Sequence, residues 1–184
     1  MSILEPRTRA LRDGSQAVIR SARREDAEGL ASLYREIIAE GRWTLAGADE
    51  RPPTAENESA EIARLNAAGG SLYLVACEDS RIVGTARAEE GAFRRTAHFA
   101  DVHSVWVRRD RRGTGVANAL MEALVDWARA SQQIEKLGLF VFSTSEAAIA
   151  LYKKHGFVEE GRSARDIRFE DGSYADTVIL GMQP

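Results

Sequence analysis

An arginine- and glycine-rich turn between a β-branched strand end and an amphipathic helix is the first segment of this sequence that could bind a ligand. It spans residues 105–117 and reads VWVRRDRRGTGVA. Gly113 and Gly115 leave room for a ligand to approach the backbone, and the first N–H groups of the following helix have no intrahelical partner. The helix dipole and the arginines both favour an anion there. The segment therefore predicts a phosphate-binding site, most simply for a pyrophosphate. Residues 108–115 of this segment are called the phosphate turn below.

Two other phosphate motifs fit this turn less well. A dinucleotide-binding turn needs a third glycine and an acidic residue about 20 residues further on, and Asn118 occupies the third-glycine position. A P-loop needs Gly-Lys-Ser/Thr, which does not follow. The remaining alternative is that residues 108–112 form a solvated turn ahead of a glycine-started helix.

The spacing of Arg112, Gly115 and Ala117 resembles the Q/R-x-x-G-x-G/A signature of the GCN5-related N-acetyltransferase (GNAT) family. A second segment supports this resemblance. The apolar run LFVF at 139–142 is followed by SEAAIALYKKHGF at 145–157, which is similar to the strand, short helix and Y-x-K-x-G-F ending of that family. Together these segments imply an enzyme that holds acetyl-CoA as co-substrate.

The second segment also carries local expectations. Ser145 stands where the family commonly has asparagine, and a serine can still cap the helix through its side-chain oxygen. Gly156 is expected to end the helix in the left-handed conformation. Tyr152 lies on an apolar stripe of this helix and, read alone, is more often a core residue; the phosphate turn earlier in the chain favours a functional role.

The resemblance implies which residues contact acetyl-CoA. They belong to the strand end, the phosphate turn, the first turn of the next helix and the later short helix: Val105, Trp106, Val107, Arg112, Gly113, Thr114, Gly115, Val116, Ala117, Asn118, Ser145, Ala148, Tyr152 and Lys154. The family reaction is direct attack of an amine on the thioester, with no covalent enzyme intermediate. No metal is expected, since the chain has no Cys/His cluster.

The chemistry of that reaction needs a donor, an acid and a base. The N–H of Val107 could polarise the thioester carbonyl, and Tyr152 could protonate the leaving thiolate. His103 and Asp101 are the candidate bases, and simple strand alternation puts both on the face shared by Val105 and Val107. A bulge would reverse that assignment.

Other titratable and aromatic residues are weaker candidates for the site. The alternative for His103 itself is a histidine that fills space under a helix. Glu89 and Glu90 are better explained as a solvated face, His98 is more distant, and His155 is expected to cap or pack. Trp43, in a loop predicted for residues 42–53, could line an acceptor pocket or cover the core.

Composition agrees with one soluble globular domain. The chain has 184 residues, 44% hydrophobic and 29% charged, with a formal net charge of −3, which does not indicate nucleic acid or an anionic membrane surface as a partner. It contains no 18-residue apolar run and no signal-peptide core. The lone Cys77 cannot form an internal disulfide. These features favour a cytoplasmic protein.

Periodicity predicts the element order β-α-α-β-β-β-α-β-α-β-β, which is the GNAT order. Residues 1–16 are expected to form a loose leader and residues 17–184 a single α/β domain, a central mixed, mostly antiparallel sheet flanked by helices. The predicted function is transfer of an acetyl group from acetyl-CoA to a primary amine of a small molecule, an amino acid or a related amine. A protein N-terminal or ribosomal-protein acetyltransferase and a non-catalytic acyl-CoA-binding module stay open, as does a homodimer.

Overall fold

The chain folds around a mixed sheet, seen in a computed structural model that describes residues 3–47, 49–50 and 53–184. The strands formed by these residues are β1 (Arg7–Ala10), β2 (Gln16–Ser21), β3 (Leu72–Glu78), β4 (Arg81–Glu90), β5 (Phe99–Val107), β6 (Lys136–Phe142), β7 (Val158–Arg168) and β8 (Tyr174–Met182). Their spatial order is β1-β2-β3-β4-β5-β6-β8-β7. All neighbours are antiparallel except β5 and β6. This is the mixed, mostly antiparallel sheet predicted from the sequence.

Helices cover both faces of the sheet. They are α1 (Ala27–Ala39), α2 (Ala55–Ala67), α3 (Val116–Ala130) and α4 (Glu146–Lys154). One apolar cluster joins the sheet to α3 and α4, and a second joins it to α1 and α2. Thr54 is the N-cap of α2, and its side chain accepts a hydrogen bond from the N–H of Asn57 at 3.2 Å. No helix in the described part of the chain is long and apolar enough to cross a membrane.

The expected loose leader is wrong for residues 7–16. Arg7–Ala10 form β1, which pairs with β2, and Leu11 is buried in the apolar core. The sequence RTRA has no apolar alternation, so an edge strand held by backbone hydrogen bonds gives no periodic signal. Met1 and Ser2 lie outside the described residues, as do Ala48, Arg51 and Pro52 of the predicted loop.

A β-bulge in β5 decides which face its polar residues occupy. Thr85 pairs with Trp106 and Arg87 with His103, so two residues of β5 oppose one residue of β4 between these pairs. Ser104, inside the bulge, has φ of 54°. The extra residue reverses the alternation along the strand.

The expected face assignment of the candidate bases is therefore wrong. Val105 and Val107 pack on the α3–α4 side. Asp101 and His103 instead lie opposite Glu89 and Arg87 of β4, on the α1–α2 side.

The strands β5 and β6 separate soon after they begin to pair. Their parallel register contains Phe99 with Lys136, Ala100 with Leu137 and Asp101 with Gly138, and the described residues form no further pair. A gap consequently opens between the C-terminal halves of the two strands. The phosphate turn follows β5 directly, so one end of this gap leads to the N-terminus of α3.

Candidate active site

The phosphate turn has the backbone geometry of an anion site. Gly113 has φ of 80° and Gly115 φ of 107°, a region that L-residues with a Cβ rarely adopt. In the described part of the chain, the N–H groups of residues 113–118 donate to no acceptor. A row of free N–H groups at the start of a helix fits a phosphate group.

Most of the arginines in this turn already have partners. Arg108 lies 2.7 Å from a Glu36 carboxylate oxygen. Arg111 lies 2.7 Å from Glu78. Arg112, which is predicted to contact the cofactor, pairs with both oxygens of Glu40, at 2.5 and 2.7 Å. These side chains brace the turn against neighbouring elements.

Sequence reasoning missed Arg12, which belongs to the segment expected to be loose. Its N–H donates to the Thr114 carbonyl at 2.8 Å. Its Cγ lies 3.7 Å from the position that a Cβ on Gly115 would occupy. The Arg12 side chain is exposed and makes no ion pair with any described residue. The hairpin between β1 and β2 therefore brings an unpaired cation to the phosphate turn.

The end of β5 presents one further backbone donor. The N–H of Arg108 donates to Val83 at 2.9 Å, so Val107, one residue earlier in an antiparallel ladder, directs its N–H away from β4 and towards the gap. The ring of Trp106 lies on the other face and stacks on Tyr34 at 4.5 Å. Val105 packs on the α3–α4 side.

The α4 residues predicted to contact the cofactor differ in their surroundings. The expected side-chain cap by Ser145 is wrong: the residue is buried and its hydroxyl does not cap the helix. Its ψ of 56° lies outside the extended region that side-chain capping favours, and its carbonyl accepts from Ala148 at 3.0 Å instead. Lys154 donates to the Asn118 side chain, which ties α4 to α3. Gly156, with φ of 94°, ends the helix as predicted.

Tyr152 is buried in the apolar cluster that joins the sheet to α3 and α4. Its ring lies 5.9 Å from that of Phe157, and Ala148 packs against the same apolar cluster. Burial raises the pKa of the Tyr152 hydroxyl above its ordinary value. The hydroxyl is therefore protonated at neutral pH and has a proton to donate.

A polar cleft of about 510 Å³ opens on the opposite face of β5. Its lining comes from α1, α2, β4 and β5, and includes Tyr34, Asn57, Glu61, Arg64, Arg87 and His103. The Nε2 atom of His103 lies 3.7 Å from a Glu89 carboxylate oxygen, and its Nδ1 lies 3.1 Å from the Ser104 hydroxyl. The cleft thus contains the histidine that sequence analysis selected as a base.

The two candidate bases have pKa values shifted in opposite directions. Burial lowers the pKa of His103, and the Arg87 guanidinium lowers it further. Burial raises the pKa of Asp101, with a contribution from the Glu89 carboxylate. One Asp101 oxygen is buried with no hydrogen-bond partner among the described residues. His103 is consequently uncharged at neutral pH and free to accept a proton.

The weaker candidates have structural partners or remote positions. Glu89 receives two hydrogen bonds from Arg64, at 2.6 and 2.9 Å. Glu90 accepts from the Gln133 side chain at 2.7 Å. His155 lies at the end of α4, and the Trp43 indole donates to Glu40 at 2.7 Å.

Comparisons with known proteins agree with this fold. The sequence model described as Acetyltransferase (GNAT) family matches residues 31–157. An L-amino acid N-acetyltransferase of Escherichia coli (strain K12) is 32% identical over 115 residues, which cover 60% of this chain and 67% of that protein.

Two solved structures are similar over most of the chain. A GNAT-family acetyltransferase from Streptococcus pneumoniae has a TM-score of 0.86 and 26% identity, covering 91% of this chain and 99% of that chain. A phosphinothricin acetyltransferase from Sinorhizobium meliloti in complex with acetyl-CoA has a TM-score of 0.78 and 21% identity, covering 91% and 88%.

The match to the family model extends over more than half of the sequence. The chain therefore belongs to the GNAT acetyltransferase family. It is an acyltransferase of the N-acetyltransferase class.

Proposed function

We propose that this enzyme acetylates the primary amine of a small molecule, an amino acid or a related amine, with acetyl-CoA as the donor. The observation that carries the proposal is that β5 borders both the polar cleft and the gap between β5 and β6. One face of the strand presents His103 to a polar cleft, while its free edge beyond Asp101 borders the gap that leads to the phosphate turn. The name of the E. coli relative supports an amino acid as the acceptor.

The donor side of the site consists of three groups. The free N–H groups of residues 113–118 would bind the pyrophosphate of acetyl-CoA. Arg12 adds a cation beside Gly115. The gap between β5 and β6 would accept the extended pantetheine arm of acetyl-CoA. Bound acetyl-CoA supplies an acetyl group that is activated as a thioester.

His103 is the general base in this proposal. Its uncharged imidazole takes one proton from the acceptor ammonium, either directly or through one water, and so produces the neutral amine. The amine nitrogen then forms a bond to the acetyl carbon, the carbon–sulfur bond breaks, and the nitrogen releases a second proton, which replaces the proton that Tyr152 gives to the sulfur. Asp101 lies on the same face of β5 and is the second candidate base.

Two donors assist the departure of the thiolate. The N–H of Val107 points into the gap and donates to the acetyl oxygen as negative charge develops there. Tyr152 gives its proton to the leaving sulfur; its burial keeps the hydroxyl protonated. Ala148 and Lys154 belong to α4, the helix that carries this tyrosine, and Ser145 is its N-cap residue.

The proposed function is tested by following thiol release from acetyl-CoA with a panel of acceptors. The panel contains the L-amino acids, simple primary amines and peptides with free N-termini. We expect turnover with small amines that depends on His103, and little with the peptides. Turnover with peptides alone would favour a protein N-terminal acetyltransferase.

Binding of acetyl-CoA is measured separately by thermal shift. Acetyl-CoA should raise the melting temperature by mass action, whereas NAD and ATP should not. Stabilisation by acetyl-CoA with no turnover on any acceptor would favour a non-catalytic acyl-CoA-binding module. Equal shifts with all three ligands would contradict the donor assignment.

A further inference from the structure

The guanidinium of Arg87 lies in the wall of the acceptor cleft with part of its donor capacity unused. Arg87 is only 9% exposed. Its Nη2 donates to Glu58 at 2.6 Å and to the Tyr73 hydroxyl. Its Nε is buried with no partner among the described residues. Its Nη1 lies 3.8 Å from Glu61, beyond hydrogen-bonding distance.

The carboxylates of this cleft are, by contrast, supplied with donors. Glu58 accepts from Arg87 and from the Tyr73 hydroxyl, each at 2.6 Å. Glu61 and Glu89 each accept two hydrogen bonds from Arg64. The unmatched charged donor in the cleft is therefore Arg87. A buried N–H without an acceptor is costly, so an anionic group of a ligand would be favoured beside it.

We propose that Arg87 binds the carboxylate of the acceptor, which makes the acceptor an α-amino acid acetylated on its α-amine. The proposal deepens the proposed function and rests on it. Arg87 is a specificity-determining residue in this scheme, while His103 handles the proton.

The distance between Arg87 and His103 selects the α-amine over a side-chain amine. The two residues are directly opposite each other on β4 and β5, and opposed side chains begin about 4.5–5.5 Å apart. In an α-amino acid the carboxylate and the amine share one carbon atom. A carboxylate on Arg87 thus keeps the α-amine near His103, whereas the amine of a lysine-like side chain would lie several bonds further away.

The surroundings of the two arginines favour Arg87 over Arg64 as the residue that binds the carboxylate. Arg64 is half exposed and lies between Glu61 and Glu89, which occupy its donors. Arg87 is held in one orientation by Glu58 and Tyr73, and its Cζ lies 4.1 Å from the Tyr73 ring centroid. A fixed guanidinium loses little conformational freedom on binding a carboxylate.

The first experiment compares substrates in the unmodified enzyme. The best L-amino acid in the acceptor panel is assayed beside its decarboxylated amine and its amide. We expect kcat/KM for the amino acid to exceed that for either analogue by about 10- to 100-fold, the range for a hydrogen bond to a charged group. Equal kcat/KM values for all three would overturn the proposal, yet would leave the acetyltransferase function intact. No turnover with any amine would instead count against the proposed function.

The second experiment uses variants of the cleft. Arg87→Gln should reduce the preference for the carboxylate to a few-fold or less, chiefly by raising KM for the amino acid. Because this change leaves Glu58 buried without its cation, the double variant Glu58→Gln/Arg87→Gln is made in parallel and its fold is checked by circular dichroism. Arg81→Gln, which removes an exposed ion pair with Asp110, is the matched control and should keep the full preference.

A calorimetric titration of the amino acid into the enzyme with CoA provides a readout besides turnover. Binding should weaken at least tenfold in the folded double variant and stay unchanged in Arg81→Gln. A folded double variant that binds the amino acid as well as the parent, or retains the kinetic preference, would remove Arg87 from the acceptor site.

Discussion

Arg112 and Glu40 form a bidentate ion pair, with the guanidinium nitrogens 2.5 and 2.7 Å from the two carboxylate oxygens. Arg112 follows β5 and Glu40 follows α1, so the pair connects the phosphate turn to the helix that borders the acceptor cleft. The hydrogen bond from Arg112 holds the pKa of Glu40 below its usual range. Glu40 is therefore charged at neutral pH and competes with any phosphate for this arginine.

Removing that competition should strengthen donor binding. In Glu40→Gln the charge on Arg112 is no longer neutralised, so acetyl-CoA should bind about 2- to 10-fold more tightly, since a charge-assisted hydrogen bond to phosphate becomes available. Isothermal titration calorimetry measures this affinity. Glu36→Gln, which releases Arg108 instead, serves as the comparison. Unchanged affinity in Glu40→Gln would mean that Arg112 has only a bracing role.

Arg12 should contribute directly to donor affinity. Arg12→Gln is expected to weaken acetyl-CoA binding about 5- to 20-fold and to reduce its sensitivity to salt, because one exposed cation beside the phosphate is lost. Arg9→Gln removes a half-buried arginine of the adjacent strand β1 and should bind normally. If both variants bound equally well at low salt, the hairpin would have no part in the donor site.

The pH dependence of the reaction should report His103. Burial holds its pKa below the ordinary value of about 6.5, and the uncharged form is the base. Activity governed by His103 therefore rises with pH through this lowered pKa, at lower pH than for an ordinary histidine. A further rise at higher pH belongs to the amine itself.

Substitution of His103 separates the rise of activity at low pH, the acid limb of the profile, from the rise at higher pH. His103→Gln should remove the acid limb from the profile of kcat/KM and reduce the rate by about 10²- to 10⁴-fold. A profile measured from pH 5 to 9 with one amino acid as acceptor tests this. An acid limb that survives in His103→Gln would transfer the role of base to Asp101.

Tyr152→Phe distinguishes an acid from a core residue. The substitution keeps the ring and its contact with Phe157 but deletes the proton donor. The kcat should fall by at least about tenfold, with little change in acetyl-CoA affinity or melting temperature. Full activity together with altered stability would return Tyr152 to a packing role.

Gly115→Val combines a steric and a conformational effect. A Cβ at this position would lie 3.7 Å from the Cγ of Arg12, the cation proposed to contact the phosphate, and φ of 107° is strained for any L-residue. Acetyl-CoA affinity should fall by more than tenfold, accompanied by a loss of about 1–2 kcal/mol in stability. Gly14→Val is the control: Gly14 has φ of 85° in open space, so this variant should lose stability without losing affinity.

The sequence was informative where local patterns decide the structure. The helix start after Gly115 and the helix end at Gly156 were both predicted, because glycine turns depend on neighbouring residues. The partner of Arg112 could not be predicted, since Glu40 lies 72 residues away in the chain. The same holds for Arg87 and Glu58, 29 residues apart.

The hydrophobic periodicity of the sequence could predict neither the bulge in β5 nor the edge strand β1, for different reasons. A serine with positive φ carries no sequence signature, and a single extra residue exchanges the two faces of a strand. The strand Arg7–Ala10 has no apolar face to detect. Arg12 was missed as a consequence, because its position depends on that hairpin.

The bulge at Ser104 also makes the length of β5 more important than the identity of most of its residues. Deletion of one residue in the bulge would exchange the two faces of residues 99–103 relative to residues 105–107. Ala100 and Val102 would then line the acceptor cleft, and Asp101 and His103 would enter the apolar core. An in-frame deletion here would thus abolish the acceptor site more completely than any point mutation, and insertions and deletions in this strand are expected to be the changes least tolerated during the evolution of this enzyme.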